Sequence, residues 1–362
     1  MIKKTYHLRL ATPAFLGDAD QHGAWRTPPL KALIREWWRI AVAPGLRYDP
    51  HALKQHETAL FGTAADEAGG DNRRSRIRLA LAHWNEGTLT DWSKVNPAIN
   101  GKPGQDPKVR HNEVDFAGGM VGSQLYLGYG PLILEKGNPN TRLKKNAALQ
   151  ADETNQLRLA LPETDLAALA RAITLAHWFG TVGGRSRNGW GSLLWTAAEG
   201  TAPLDTLSRS ALEQTGCTRG LGDCLALDWP HAIGSDAQGV LVWRSREAFT
   251  TWREAMKFLA QIKIGFRTDL GFDTGRNSPR IEARHVLAYP VTNHSVRDWG
   301  NNARLANTLR FKLHRDTDGR LRALIYHTPC KPTLPHPSVD LLDTWRRAHR
   351  FLDARPELAR LA

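Results

Sequence analysis

Apolar and polar residues alternate from Thr5 to Leu10, with Tyr6, Leu8 and Leu10 on one face and His7 and Arg9 on the other, the signature of a half-buried strand. The same period recurs over Arg76 to His83, where Ile77, Leu79 and Leu81 oppose Arg78 and Ala80. Gln156 to Leu161 and the apolar stretch Ser192 to Trp195 are further strands, and Gln124 to Leu134 holds strand-like pieces. Helical spacing marks Pro28 to Ala43, opened by Pro28-Pro29, where proline fits the first turn, and stopped by Pro44-Gly45. A short helix is predicted over His51 to Leu60. Another follows Thr164 or Asp165 as cap and runs to Trp178, with Leu166, Leu169, Ala170 and Ile173 on one stripe. The resulting order, strand-helix-strand-strand-helix-strand, predicts an α+β chain of ferredoxin-like βαββαβ type, a fold shared with RNA-recognition domains. Two long insertions, 85–121 and 136–155, interrupt it. The second carries Lys136, Arg142, Lys144 and Lys145 around Gly137, Asn138, Pro139 and Asn140, which predicts an exposed basic hairpin.

Beyond 201–220 the pattern begins again. A strand is expected at Val240 to Trp243, a helix at Glu247 to Ala260, strands at Leu309 to His314 and Leu321 to His327 joined by Asp318-Gly319, and a helix at Ser338 to Leu352. This describes a second, degenerate ferredoxin-like unit without a clear last strand, hence two tandem domains, 1–200 and 201–362. Residues 265–307 fit no element.

Composition narrows the partner. Lys and Arg number 49 against 36 Asp and Glu, a formal charge of +13, and arginine outnumbers lysine. That balance suits a polyanion, whose condensed counterions are released on binding, and favours forked contacts to phosphate. Three cysteines, Cys217, Cys224 and Cys330, form no C-x-x-C pair, so a disulfide framework or zinc site is not expected and reduced, cytoplasmic thiols are. No signal peptide and no window approaching the roughly 18 apolar residues of a membrane span is found. Nothing in the sequence calls for a metal or cofactor.

The segment Thr181 to Ser192 concentrates the chemistry. Gly183, Gly184, Gly189 and Gly191 permit positive φ and close approach to another molecule, while Arg185, Ser186, Arg187 and Asn188 suit phosphate and sugar, and Trp190 offers a stacking face. It follows a helix and enters a strand, the reverse of dinucleotide and phosphate-loop fingerprints, and it lacks their lysine. A helix cap followed by a tight turn would account for the glycines equally. On the helix at 28–43, Leu30, Ile34, Trp37 and Ala41 form the packing stripe. Lys31, Arg35 and Arg39 recur one turn apart with Trp38 among them, either a track for a single-stranded backbone with a stacked base or a solvated face.

Several pieces together resemble the repeat-associated RAMP superfamily of CRISPR proteins, and within it the first-named RAMP subunit of the type III-B (Cmr) effector complex. They are Thr12-Pro13-Ala14-Phe15-Leu16-Gly17, Trp25-Arg26-Thr27-Pro28 through Arg35-Glu36-Trp37-Trp38-Arg39, Glu57 with Leu60-Phe61-Gly62, the glycine loop at 183–191, and Ala303 to Phe311. Asp18, Ala32 and Asn307-Thr308 depart from the family pattern. The resemblance implies a subunit that binds guide RNA towards its 3′ end, or the guide–target duplex, beside other RAMP subunits, and is not the nuclease. Carried over by position, Arg26, Lys31, Arg35, Trp38 and Arg39 line a groove, and Gly184, Arg185, Ser186, Arg187 and Asn188 hold phosphates. RAMP relatives also include endoribonucleases. An enzymatic alternative would use His22 as a metal-independent base, or Asp18, Asp20 or Asp115, although two carboxylates do not make a metal site.

Overall fold

In the computed structural model, which describes residues 1–63, 72–98, 104–134, 141–144, 148–300, 302–316 and 318–361, the alternation at the N-terminus forms β1 (Ile2–Leu10). Next come α1 (Thr27–Val42), α2 (Pro50–Phe61) and β2 (Arg78–Leu81). The first insertion holds β3 (Lys108–Arg110) and runs into β4 (Met120–Gly122); α3 (Ser123–Gly128) and β5 (Leu132–Leu134) follow, and β6 (Thr141–Leu143) lies in the second insertion. β7 (Thr154–Leu161), α4 (Leu166–Phe179) and β8 (Leu193–Ala197) complete a four-stranded antiparallel sheet of order β2-β7-β1-β8. Lys136, Gly137 to Asn140 and Lys145 of the expected basic hairpin lie outside the described residues.

The strand-like pieces within 124–134 are in part a helix. Asp106, 17 residues away from Ser123 in sequence, caps α3 by accepting from the Gln124 and Leu125 N–H groups at 2.9 Å each, a remote cap that no local pattern reveals.

After α5 (Arg209–Gln214), β9 (Thr218–Gly220), α6 (Leu221–Cys224), β10 (Ile233–Asp236) and β11 (Gly239–Val240) comes β12 (Val242–Ser245). α7 (Trp252–Asp269) starts later and ends later than expected. A capping box sets its start: the Thr251 hydroxyl accepts from the Glu254 N–H, and the Glu254 carboxylate accepts from the Thr251 N–H at 3.0 Å. α8 (Ala283–Leu287) falls in the segment that fitted no element. β13 (Leu309–Arg315), β14 (Leu321–His327), α9 (Leu341–Asp353) and β15 (Leu358–Arg360) follow. The second sheet has the order β13-β14-β12-β15. It therefore does have a last strand. β15 is only three residues long and escapes detection by alternation, but Arg360 anchors it through ion pairs to Asp236 at 2.6 Å and Asp353 at 2.7 Å.

The two sheets share their cores across residues 201–220. Along β14, Leu324 and Tyr326 join the cluster around α1, α4 and the first sheet, whereas Ala323 and Ile325 join the cluster around α7 and α9. Tyr326 packs on Phe179 and Trp37 with ring centroids 4.8 and 6.1 Å away. On β13 the polar set is the surprise: Arg310, Lys312 and His314 alternate with Leu309, Phe311 and Leu313, yet Arg310 and Lys312 are fully buried against α1 and α4.

Burial also suppresses histidine charge. His177 is pushed down to about 3 and His314 to about 4, by desolvation first and Lys312 second. His349 falls to about 3, through burial and then Arg360, and its Nε2 meets His327 Nδ1 at 3.0 Å. In the unfolded chain these rings take up protons near pH 6.5, while the fold refuses them until about pH 3 to 4, so the unfolded state binds more protons throughout that window. Stability is therefore expected to fall as the pH drops below 6.5, by up to about 1.4 kcal/mol per unit for each such ring. His349→Gln should remove one ring's share of the slope in urea unfolding at neutral and mildly acidic pH. An unchanged slope would contradict this account.

Candidate functional site

The glycine loop is fastened from both halves of the chain. Gly184 N–H donates to Phe15 C=O at 2.9 Å, Gly191 N–H to Pro13 C=O at 2.8 Å, and the Thr12 hydroxyl to Gly189 C=O at 2.8 Å. From the second sheet, Phe311 N–H donates to Arg187 C=O at 3.0 Å and Leu313 N–H to the Ser192 hydroxyl at 2.8 Å. The glycines serve this scaffold. Gly191 sits at φ 63°, and a β-carbon there would meet the Val182 carbonyl oxygen at 1.9 Å; at Gly183, φ 89°, the clash would be with the Phe15 carbonyl at 2.7 Å. Their conformational freedom is used for packing loop on loop rather than for approach to an outside molecule.

The expected site residues divide sharply. Arg185 holds a left-handed φ of 57°, is exposed, and makes no side-chain hydrogen bond or ion pair with any described residue. Ser186 is half-buried beside it. Arg187 reaches Asn307 C=O at 3.4 Å; burial, then Arg310, draws its pKa down. Asn188 is buried, donating to Leu127 C=O at 2.8 Å and accepting from Lys263 Nζ at 2.7 Å, so its amide is spent on the fold. Trp190 is fully enclosed by Phe15, Trp92 and Trp252, with centroids 5.2 to 5.7 Å away, and offers no face to a base.

On α1 the cation row exists but is partnered. Lys31 Nζ donates to Phe61 C=O at 2.9 Å. Arg35 and Arg39 both grip the buried Glu57 carboxylate, Arg39 in a fork whose second bond is 2.7 Å. Burial raises the Glu57 pKa, but its two arginines outweigh that and hold it low. Arg26 donates to Gly17 C=O. Trp38, only 3 % exposed and edge-on to Phe61 at 5.4 Å, is a core residue, which removes the stacking platform expected on this face.

Residues beyond the expected set complete the picture. A polar cavity of about 170 Å³ between α1, the loop and the second sheet is lined by Ser186, Arg187, Glu36, Arg310 and Tyr326. The Arg310–Glu36 ion pair, 2.5 Å, crosses it. Two guanidinium groups thus share one carboxylate there. Behind the loop, α7 presents Lys263 and Arg267. Burial, then the nearby charges of Arg267 and Arg185, drive the Lys263 pKa far below normal, and Arg267 is lowered by burial first. Arg267 forms no side-chain hydrogen bond or ion pair with any described residue, and the carboxylate nearest it, Glu113, is taken by Arg284. Crowding of cationic groups with few counterions is a strain that a nearby anion would relieve. The sequence signal for this row is Lys263 and Arg267 one turn apart on a stripe that otherwise faces the core.

Asp18 Oδ1 accepts from the Asp20 and His22 N–H groups at 2.9 and 2.8 Å, shaping the turn, and His22 Nδ1 lies 4.0 Å from Glu86. Asp115 is exposed at the start of a 3-10 turn. No group of three or more metal-ligating side chains occurs among the described residues. Nor is any helix among them long and apolar enough to cross a membrane.

No family model and no curated protein matches the chain. Among solved structures it is similar to Cmr1 from Pyrococcus furiosus in its apo form, at 13% identity and TM-score 0.49, covering 100% of this chain and 99% of that one. It is also similar to a chain of the type III-B Cmr-beta complex bound to cognate target RNA, at 12% identity and TM-score 0.48, covering 97% and 100%. A chain of Cmr-beta bound to cognate target RNA and AMPPnP in the presence of ssDNA gives 12% identity and TM-score 0.47 over 96% and 98%. These neighbours fall in the group that the sequence motifs resemble.

Because Trp38 and Glu57 hold α1 to α2, Trp38→Ala should destabilise the protein by about 3–5 kcal/mol. Glu57→Gln, which strips two half-exposed arginines of their shared acceptor, should cost about 1–3 kcal/mol. Denaturant unfolding of the two variants checks both values. Wild-type stability in Trp38→Ala would return the indole to the surface.

Proposed function

We propose that this chain is a non-catalytic, RNA-binding subunit of a type III CRISPR effector complex, holding guide RNA towards its 3′ end, or the guide–target duplex, beside other RAMP subunits in antiviral defence. The observation that carries this reading is the glycine loop. Residues distant in sequence pin its backbone, and Arg185, which forms no side-chain bond with any described residue, faces solvent near enough to Lys263 to lower the pKa of that amine. A backbone already fixed by the fold that presents an unpaired guanidinium suits a phosphate chain, since little backbone entropy is lost on binding. The motifs shared with the RAMP superfamily name the kind of polyanion.

The fold supports the same reading. Each sheet is antiparallel with the order second, third, first, fourth strand, and each unit contributes two crossover helices, the connectivity of a ferredoxin-like βαββαβ unit. The chain is thus read as two such units, 1–200 and 201–362, with the loop at their junction. On this reading catalysis is assigned to no residue, and Asp18 is engaged in its turn.

The test is a titration of labelled single-stranded RNA at about 50 mM and about 200 mM salt, with every sample also run on a denaturing gel. The expected result is intact RNA, affinity that falls steeply with salt, and a roughly tenfold loss in Arg185→Ala with its melting temperature unchanged. Affinity retained in both Arg185→Ala and Arg267→Ala would overturn the proposed site, and cleaved RNA would replace it with the endoribonuclease reading.

A further inference from the structure

The expected stacking residues, Trp38 and Trp190, are both in the core, so an RNA bound at Arg185 must place its bases elsewhere. Next to the loop lies a groove of about 510 Å³, within the size range of ligand pockets. Its walls are Phe15, Leu16, Pro131 and Leu143, and four of its lining residues are glycines that leave the floor without side chains. Gly184 belongs to it, which places the groove directly beside Arg185. On the opposite side the Arg185 guanidinium lies over Gly130: a β-carbon at that glycine would be 3.4 Å from its Nη2. The polar residues in the lining are Gln21 and Lys144, with no carboxylate among the described ones. Tyr129, next to Gly130 in the chain, is 64 % exposed, the most exposed aromatic side chain on the described surface.

We propose that this groove receives one unstacked base of the bound RNA while Arg185 holds the adjoining phosphate. The inference rests on the RNA-binding reading above and adds a base subsite to it. Apolar walls with an amide and an ammonium group for edge contacts, flanked by a cation and an exposed ring, match the way single-stranded bases are splayed and bound. The alternative occupant of an apolar groove, a side chain of a neighbouring protein, would need a carboxylate beside it to meet Arg185 and Lys144.

The experiment compares a single-stranded RNA with a base-free ribose–phosphate oligomer of equal length and charge, using wild-type protein, Tyr129→Ala, Leu143→Trp and Arg185→Ala. The wild type is expected to prefer RNA by roughly tenfold, the scale of one stacked base. Leu143→Trp, which fills the groove, and Tyr129→Ala, which cannot disturb the core, should each shrink that preference to below about threefold. Arg185→Ala should weaken both ligands alike. Equal affinity of the wild type for the two oligomers would overturn the base subsite while leaving the phosphate site standing. A base preference that survives both groove variants would assign base reading to another surface and leave this groove to a protein partner. Failure of either oligomer to bind at low salt would strike the RNA-binding reading itself.

Discussion

The C-terminal end of α4 is where the two halves of this molecule are joined. A helix end leaves carbonyls without partners, and burying them unpaired is costly. Here the second sheet supplies the donors: Lys312 Nζ donates to His177 C=O at 2.5 Å, and the Tyr326 hydroxyl to Phe179 C=O at 2.8 Å. A lysine that is wholly buried is tolerable at this spot because the helix terminus carries partial negative charge and because desolvation drives its pKa far below normal. The glycine loop begins two residues later, at Thr181, so the geometry of this cap sets the geometry of the loop.

The same junction explains what could be read from the residues alone. The strands of the first unit and both of its helices are written in local periodicity, and their order follows from it. The fate of Trp38, Asn188 and Trp190 is not, because each is decided by a segment far away in the chain: Phe61, Lys263 and Trp252 respectively. Likewise the alternation over Leu309 to Arg315 marks a strand correctly, yet its polar face reads as solvent-facing when α1 and α4 in fact cover it. α3 and β15 are held by Asp106 and by the Asp236–Arg360–Asp353 group, which are long-range anchors without a local signature.

Net charge is a poor guide to which arginines the surface leaves without a partner. Many of the arginines are committed to carboxylates: Arg35 and Arg39 to Glu57, Arg284 to Glu113, Arg310 to Glu36, Arg322 to Asp316. The regular row on α1 braces α2 through Glu57 and the Phe61 carbonyl while both of its arginines stay half-exposed. Where the cations outnumber their partners is the loop and the adjoining face of α7, which are distant in sequence: Arg185 comes from the loop, Lys263 and Arg267 from α7.

A loop whose bonding partners lie on β1's flank, on α7 and on β13 cannot take its final shape until the last of these has been made. During synthesis, which releases the N-terminal portion first, α4 would leave the ribosome with its terminal carbonyls open and with a glycine-rich segment lacking the strand that Phe311 and Leu313 later provide. The first half alone thereby lacks the donors that fix the loop in its native geometry, a delay set by the order of the polypeptide itself.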